Sequence, residues 1–80
     1  MAHKDIVVNP GSTLYTLQGC VHCEDILEDL VQAIEAGFLK RAHCNPEGSK
    51  EEKDVCDLTD KLKDFGGFPS IYDKDGKRVY

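Results

Sequence analysis

The segment 19–23 reads Gly-Cys-Val-His-Cys, and this CxxC motif constrains the chain more than any other feature. A short apolar run, residues 14–17, precedes it, and a segment with helical periodicity follows it. Two cysteines in this setting are what a dithiol–disulfide site requires. At a helix N-terminus, free backbone N–H groups and the helix dipole would stabilise a Cys20 thiolate, the form that attacks disulfides. Cys23, one turn later, would then bond to Cys20 and release a trapped mixed disulfide.

The two histidines near the cysteines receive different interpretations. An imidazolium at His22, between the two cysteines, would stabilise the Cys20 thiolate further. That charge would favour the reduced form and make the oxidised form a stronger oxidant. The alternative for His22 is an exposed side chain without an electrostatic role. His43 is predicted to be a strand surface residue rather than a metal ligand.

Composition excludes several classes of function. Eighty residues with 40% apolar content suit one small domain with a single core. The net charge of −5 argues against nucleic acid and against an anionic membrane surface as partners. No apolar run approaches the roughly 20 residues of a membrane span. The start of the chain lacks the apolar stretch of a signal peptide, so we expect a cytoplasmic protein, with a periplasmic or secreted mature fragment as the alternative.

The apolar periodicity predicts one domain, residues 1–80, with the element order β-α-β-α-β-β. Residues 1–12 are expected to form an N-terminal arm, within which residues 6–8 are a short strand or an ordered arm. A strand–helix–strand start implies a parallel pair with a right-handed crossover, and the closing hairpin adds two antiparallel strands. The predicted strands are 13–17, 38–44, 70–72 and 78–80, and the predicted helices run from about 23 to 36 and from 50 to 65.

Local signals mark the ends of both helices. Gly37 is predicted to end the first helix. Ser49, followed by Glu52 three residues later, resembles a capping box at the start of the second helix. The predicted core stripes are Ile26, Leu27, Leu30, Val31 and Ile34 in the first helix and Val55, Leu58, Leu62 and Phe65 in the second.

The four cysteines allow three pairings, so the sequence does not fix their connectivity. Cys44 and Cys56 have three interpretations: a structural disulfide, a second redox pair that relays electrons to Cys20 and Cys23, or two buried free thiols. A structural bond would close a loop of about 13 residues and contribute on the order of 3 kcal/mol. The sequence contains enough cysteines and histidines to bind zinc, but their spacing lacks a second CxxC. We therefore predict no metal.

Three motifs at the expected separations make residues 14–80 resemble the thioredoxin superfamily. They are the CxxC at 20–23, Gly-Phe-Pro-Ser at 67–70 and Asp-Gly at 75–76. Protein disulfide isomerase domains look close, because they share Gly-Phe-Pro and a His before the second active-site cysteine. The thioredoxin-like domain of bacterial vitamin K epoxide reductase homologues also looks close, because an extra cysteine pair spans the loop between its second strand and second helix. The approach to the CxxC is similar to that of glutaredoxins.

The resemblance implies a truncated thioredoxin-like fold, with a mixed four-stranded sheet that lacks the family's last helix. That loss should leave an apolar sheet face, which a partner protein or, in a homodimer, a second copy would cover. The residue that matches Pro69 follows a cis peptide bond in the family. The implied substrate-binding residues are Gly19, Phe68, Pro69 and Ser70. At Leu14 this chain departs from the family, where many members have a buried acid that accepts the proton of the resolving thiol.

The function implied by the resemblance is that of a thiol–disulfide oxidoreductase, with Cys20, Cys23 and His22 as the catalytic residues. Its partners would be protein dithiols or disulfides, and a recycling redox protein or small thiol that completes electron transport. No dissociable organic cofactor is expected. Two alternatives belong to other classes: a non-catalytic peptide-binding module with structural disulfides, and a zinc-binding domain.

Overall fold

The computed structural model describes residue 6 and residues 8–80 of the chain. These residues form an α/β structure, with two helices and a three-stranded mixed sheet. Parts of the predicted N-terminal arm, and the middle of the predicted strand 6–8, lie outside the described residues. The elements are β1 (Ser12–Leu17), α1 (Val21–Glu35), β2 (Leu39–Cys44), α2 (Lys50–Thr59) and β3 (Ser70–Tyr72).

β1 is the central strand of the sheet, whose strand order is β2-β1-β3. β1 and β2 are parallel, with Leu14 opposite Arg41, whereas β1 and β3 are antiparallel, with Leu14 opposite Ile71. Because side chains alternate along a strand, Leu14 and Thr16 lie on one face of the sheet and Tyr15 lies on the other. Parallel pairing of consecutive strands requires a crossover, and α1 provides it.

The two helices pack on opposite faces of the sheet. On the first face, α1 contributes Ile26 and Leu30 to the core, and burial of each such side chain contributes about 1.5–3 kcal/mol. On the second face, a disulfide joins α2 to Cys44 of β2. The buried core cluster on the α1 face consists of Leu14, Ile26, Leu30, Leu39 and Ile71.

The apolar sheet residues on the α1 face are covered. Leu14 and Ile71 are fully buried, and Ile6 and Val8 pack against the core cluster that contains them. The expected uncovered apolar face is therefore not found at these sheet positions. The exposed large apolar side chains of the described residues lie on helices and loops, and they are Val21, Val31, Phe38, Leu58, Val79 and Tyr80. Val31 and Leu58 were predicted to be core positions, and that part of the prediction is wrong.

Local sequence signals fix the end of α1 and the start of α2 as predicted. After α1, Gly37 adopts φ +82°, and its N–H donates to the Ile34 carbonyl while that of Phe38 donates to Ala33. This is a Schellman motif, which needs a left-handed residue at the glycine position. At the start of α2, both hydrogen bonds of the capping box are present: the Glu52 N–H donates to the Ser49 hydroxyl, and the Ser49 N–H donates to the Glu52 carboxylate.

The second helix ends at Thr59, six residues before the predicted end at residue 65. The Thr59 hydroxyl donates to the Cys56 carbonyl. The next backbone hydrogen bonds, from Lys61 to Leu58 and from Leu62 to Thr59, span three residues instead of the four of an α-helix. Asp64 then adopts φ +60°, which a helix does not allow. Leu62 and Phe65 therefore lie in an irregular segment rather than on a helical stripe.

The sheet has three strands in the described part of the chain, rather than the predicted four. The predicted Asp-Gly turn is present, since Asp73 Oδ1 accepts hydrogen bonds from the N–H groups of Asp75 and Lys77. Beyond the turn, the pairing is reduced to an isolated bridge between Tyr72 and Arg78. The Ile71 carbonyl accepts hydrogen bonds from the N–H groups of both residue 79 and residue 80. Two residues therefore lie opposite Ile71, as in a β-bulge, and the regular hydrogen-bond ladder is lost.

Candidate dithiol site

The turn after β1 places Cys20 at the start of α1. The Gln18 N–H donates to the Cys44 carbonyl at 2.9 Å, which holds the end of β1 against β2. Gly19 follows with φ +80°, a conformation that favours glycine. The Cys20 N–H then returns to the Leu17 carbonyl at 3.2 Å. Cys20 is the N-cap of α1, with extended backbone angles, as the sequence predicts.

The Sγ atom of Cys20 performs the capping role that a hydroxyl or carboxylate usually has. It accepts a hydrogen bond from the Cys23 N–H at 3.1 Å. A neutral thiol is a weak acceptor, whereas hydrogen bonds to an ionised group are roughly twice as strong. The hydrogen bond from the Cys23 N–H would therefore be stronger to an ionised Cys20 sulfur than to a neutral one.

The two cysteines differ in accessibility. Both are free thiols, but Cys20 is half-buried, whereas only 2% of Cys23 is exposed. Burial raises the pKa of Cys23 to about 12, because a thiolate loses hydration there. This value already includes a hydrogen bond with Cys20, which acts in the same direction as burial, and a backbone hydrogen bond with Leu17 and the positive charge of Arg41, which lower the pKa. Cys20 is thus the accessible sulfur of the pair.

The residues between the cysteines point to solvent. Val21 is 67% exposed and His22 is exposed. Within residue 6 and residues 8–80, the His22 side chain has no hydrogen-bond or ion-pair partner. The imidazole is therefore next to the thiols along the chain, but no contact fixes it against Cys20.

The predicted substrate-binding residues Phe68, Pro69 and Ser70 lie at the same end of the sheet as Cys20. The antiparallel register pairs Tyr15 with Ser70, and its continuation would bring Pro69 and Phe68 opposite the last residues of β1. The peptide bond between Phe68 and Pro69 is cis, as the resemblance implied. The Ser70 hydroxyl is buried and donates to the Gly67 carbonyl.

The rings of Phe65 and Phe68 stack edge to face beside this segment, with centroids 5.0 Å apart. Phe68 and Pro69 are half-buried, so part of each side chain is accessible. Gly19, Cys20 and the segment 67–70 therefore share one end of the sheet. Sequence analysis located each of them, and the β1–β3 register accounts for their common placement.

Cys44 and Cys56 form a disulfide, with a Cα–Cα distance of 4.8 Å and a separation of 12 residues. Because both sulfurs are bonded to each other, neither is available as a zinc ligand. In the described residues, no group of three or more His, Cys, Asp or Glu side chains could hold a metal ion. The disulfide lies on the α2 face of the sheet and the buried Cys23 lies on the α1 face, which opposes a direct relay between the two pairs.

A polar cluster on the α1 face was missed by sequence analysis. It joins Thr16 of β1 to Arg41 and His43 of β2, which the parallel register places on the same face. Arg41 Nε donates to Thr16 Oγ1 at 3.3 Å, and Thr16 Oγ1 lies 2.8 Å from His43 Nδ1. His43 Nε2 lies 3.0 Å from Gln18 Oε1, which can only accept, so this nitrogen is the donor. His43 lies on β2 with a half-buried side chain, and its ring belongs to this network.

Two surface depressions among the described residues lie away from the dithiol. One, of about 430 Å³, lies between the segment after α2 and the turn after β3, and another, of about 330 Å³, lies beside the same turn. In the part of the chain that the structure describes, neither helix has the length and apolar character needed to cross a membrane.

No protein-family model matches this chain, and neither a curated protein nor a solved structure matches it. The functional interpretation therefore depends on the chain's own residues and geometry.

Proposed function

We propose that this chain is a thiol–disulfide oxidoreductase that exchanges disulfides with protein substrates through Cys20 and Cys23. The observation that carries the proposal is the accessible Cys20 sulfur at the N-cap of α1, which accepts a hydrogen bond from the Cys23 N–H at 3.1 Å. The helix dipole and this N–H both favour negative charge on the Cys20 sulfur. The protonated, buried Cys23 lies one turn away, where it would resolve the mixed disulfide.

In the reducing direction, the Cys20 thiolate attacks a substrate disulfide, and one substrate sulfur leaves as a thiolate. Cys23 then loses its proton to solvent and attacks the Cys20 sulfur. The Cys20–Cys23 bond forms, the mixed disulfide breaks, and the second substrate sulfur leaves as a thiolate that takes up a proton. Two electrons pass from the pair to the substrate. In the oxidising direction, every bond change is reversed.

A thioredoxin-like fold is the finer structural proposal. The sheet order β2-β1-β3, the parallel β1–β2 pair and the antiparallel β3 support it. So do the two helices on opposite faces and the cis bond before Pro69. The bridge between Tyr72 and Arg78 would then be what remains of the fourth strand.

The substrate is proposed to be an extended polypeptide that carries a dithiol or a disulfide. Gly19 and the segment 67–70 would bind its backbone beside Cys20, and Phe68 would contact its apolar side chains. A recycling redox protein or a small thiol would restore the pair. The Cys44–Cys56 disulfide favours an oxidising compartment, since structural disulfides persist there. That favours the periplasmic or secreted alternative over a cytoplasmic location, and in a reducing cytosol the same site would act as a reductase.

Catalysed reduction of insulin and oxidative refolding of a reduced protein test the proposal. We expect turnover from the wild type and none from Cys20→Ala. Cys23→Ala should accumulate mixed disulfides at Cys20, visible by mass spectrometry as covalent adducts that a reductant releases. The matched control is a Cys44→Ser/Cys56→Ser chain, which loses a cysteine pair but keeps the CxxC, and it should retain exchange while it is folded.

The peptide-binding module makes the opposite prediction. A Cys20→Ser chain that keeps full function in peptide binding, combined with a wild type that shows no turnover in either assay, would support that module and overturn the oxidoreductase.

A further inference from the structure

Leu14 of β1 packs in the core cluster with Ile26 and Leu30 of α1, and its fully buried apolar side chain offers Cys23 no proton acceptor. The buried Cys23 must nevertheless become a thiolate to attack the mixed disulfide. A buried anion without a counter-charge is costly, so some other group must offset part of that cost. The nearest structural support for such a group is the polar cluster of Thr16, Arg41 and His43 on the α1 face.

We propose that Arg41 is a positioning residue of the dithiol site, whose fixed positive charge stabilises the Cys23 thiolate during the resolving step. This inference rests on the proposed function. The β1–β2 register places Arg41 on the sheet face that α1 covers, opposite Leu14. Cys23 is the buried α1 residue nearest the start of that helix, and the Cys20 N–H at this helix start donates to the carbonyl of Leu17, next to Thr16.

Two contacts hold the Arg41 side chain. Its Nε donates to the hydroxyl of the fully buried Thr16 at 3.3 Å, and its Nη2 lies 3.2 Å from His43 Nδ1. His43 is itself held by Gln18. The guanidinium therefore reaches the carboxyl end of β1, from which the chain turns into α1 and its buried first-turn residue Cys23. The charge of Arg41 opposes the effect of burial on the Cys23 thiol.

Other titratable groups lie near Arg41 and Cys23. His43 lies on the same strand as Arg41, and Glu52 of α2 is close enough that both basic side chains lower its pKa. Cys20 hydrogen-bonds Cys23 from the same helix. Because Arg41 is an exposed side chain, solvent screens its charge, and we expect a moderate effect.

The test follows the reduced protein as it reacts with dithiodipyridine, a neutral aromatic disulfide. Attack by Cys20 releases the first thiopyridone and forms a mixed disulfide. Attack by Cys23 on the Cys20 sulfur releases the second thiopyridone and leaves the Cys20–Cys23 disulfide. The two absorbance phases therefore report the two cysteines separately.

We expect Arg41→Met to slow the second phase about fivefold, because a moderate rise in the Cys23 pKa reduces its thiolate fraction at neutral pH. The first phase should change less than about twofold. Second-phase rates should rise about tenfold per pH unit in both proteins, with the variant displaced to lower rates throughout. Arg41→Lys, which keeps the charge, should recover most of the rate, and the matched control Lys40→Met, its neighbour on β2, should behave like the wild type.

Equal second-phase rates in the wild type and Arg41→Met would overturn this inference alone. Failure of Arg41→Lys to recover the rate would also overturn it, since the charge would not then be the cause. If Arg41→Met does not fold, the wild type is measured at increasing salt concentration instead. Salt screens the charge of Arg41, so the second phase should slow while the first does not. A second phase whose rate does not change with salt would overturn the inference. A wild type that never releases the second thiopyridone would overturn the proposed function, and this inference with it.

Discussion

The N–H of Cys23 donates a hydrogen bond to the Sγ of Cys20 at 3.1 Å, so the second cysteine of the motif supports the sulfur of the first. The same pair differs in exposure, with Cys20 half-buried and Cys23 almost fully buried. One cysteine can therefore meet a foreign sulfur, while the other can be reached only from within the site.

Selective alkylation is the first prediction. Iodoacetamide at neutral pH should modify Cys20 well before Cys23, because Cys20 is accessible and burial raises the pKa of Cys23 to about 12. Peptide mass spectrometry after timed quenching measures the order. In the Cys20→Ser control, Cys23 should stay slow until strongly alkaline pH. Modification of Cys23 first, or of both at one rate, would contradict the proposed asymmetry.

The Cys44–Cys56 bond should contribute much of the stability of this small domain. The chain-entropy account gives on the order of 3 kcal/mol for a loop of about 13 residues. We expect Cys44→Ser/Cys56→Ser to lower the free energy of unfolding in urea by about that amount. The Cys20→Ser/Cys23→Ser double variant is the control, and it should unfold much nearer the wild type. Indistinguishable unfolding midpoints for all three proteins would show that the bond adds nothing.

The capping box of α2 gives a prediction for acid pH. The Ser49 N–H donates to Glu52 Oε1 at 2.9 Å, and this bond lowers the pKa of Glu52 below its ordinary value of 4.5. The native carboxylate thus binds a proton less readily than the unfolded one. Its contribution to stability is therefore present above pH 4.5 and is lost as the pH falls through the lower native value.

Thermal unfolding at a series of pH values above and below 4.5 measures this effect. Glu52→Gln keeps an acceptor oxygen but cannot ionise, so its melting temperature should depend less on pH than that of the wild type. Ser49→Ala removes the cap itself and should cost about 1 kcal/mol at neutral pH. Identical pH profiles for the wild type and Glu52→Gln would contradict the assignment.

The segment between α2 and β3 depends on a buried tyrosine. The Tyr72 hydroxyl donates to the Lys63 carbonyl at 2.7 Å, and this bond ties the irregular segment to the sheet. We expect Tyr72→Phe to cost about 1 kcal/mol and to speed amide exchange over residues 61–69. Tyr15→Phe is the matched control, since the Tyr15 hydroxyl has no hydrogen bond within the described residues. Equal exchange in the two variants would exclude the proposed anchoring.

Features that depend on a few adjacent residues could be predicted from the sequence. Gly37, Ser49 and the position of Cys20 at a helix start each follow from the geometry of one turn, so their local signals are reliable. The strand–helix–strand order also follows from periodicity. The apolar stripe of α2 was misleading, because the spacing of Leu62 and Phe65 continues a helix that the chain leaves at Thr59.

The remaining features depend on contacts between distant parts of the chain. The Tyr72 hydrogen bond to the Lys63 carbonyl joins residues nine apart across a turn, and helical spacing carries no sign of it. The polar cluster requires Thr16 and His43 to be opposite in the β1–β2 register, 27 positions apart in sequence. The pairing after β3 failed to form a fourth strand because two N–H groups share the Ile71 carbonyl. Periodicity and motif spacing do not determine such registers.

The central proposal is that Cys20 and Cys23 interconvert between dithiol and disulfide, and the most direct test is a redox titration of the purified chain. The protein is equilibrated in dithiothreitol buffers of graded potential, alkylated, and mapped by mass spectrometry. We predict a single reversible two-electron transition in which Cys20 and Cys23 pair with each other. Free thiols at both positions under every oxidising buffer, or a bond from either one to Cys44 or Cys56, would contradict the account.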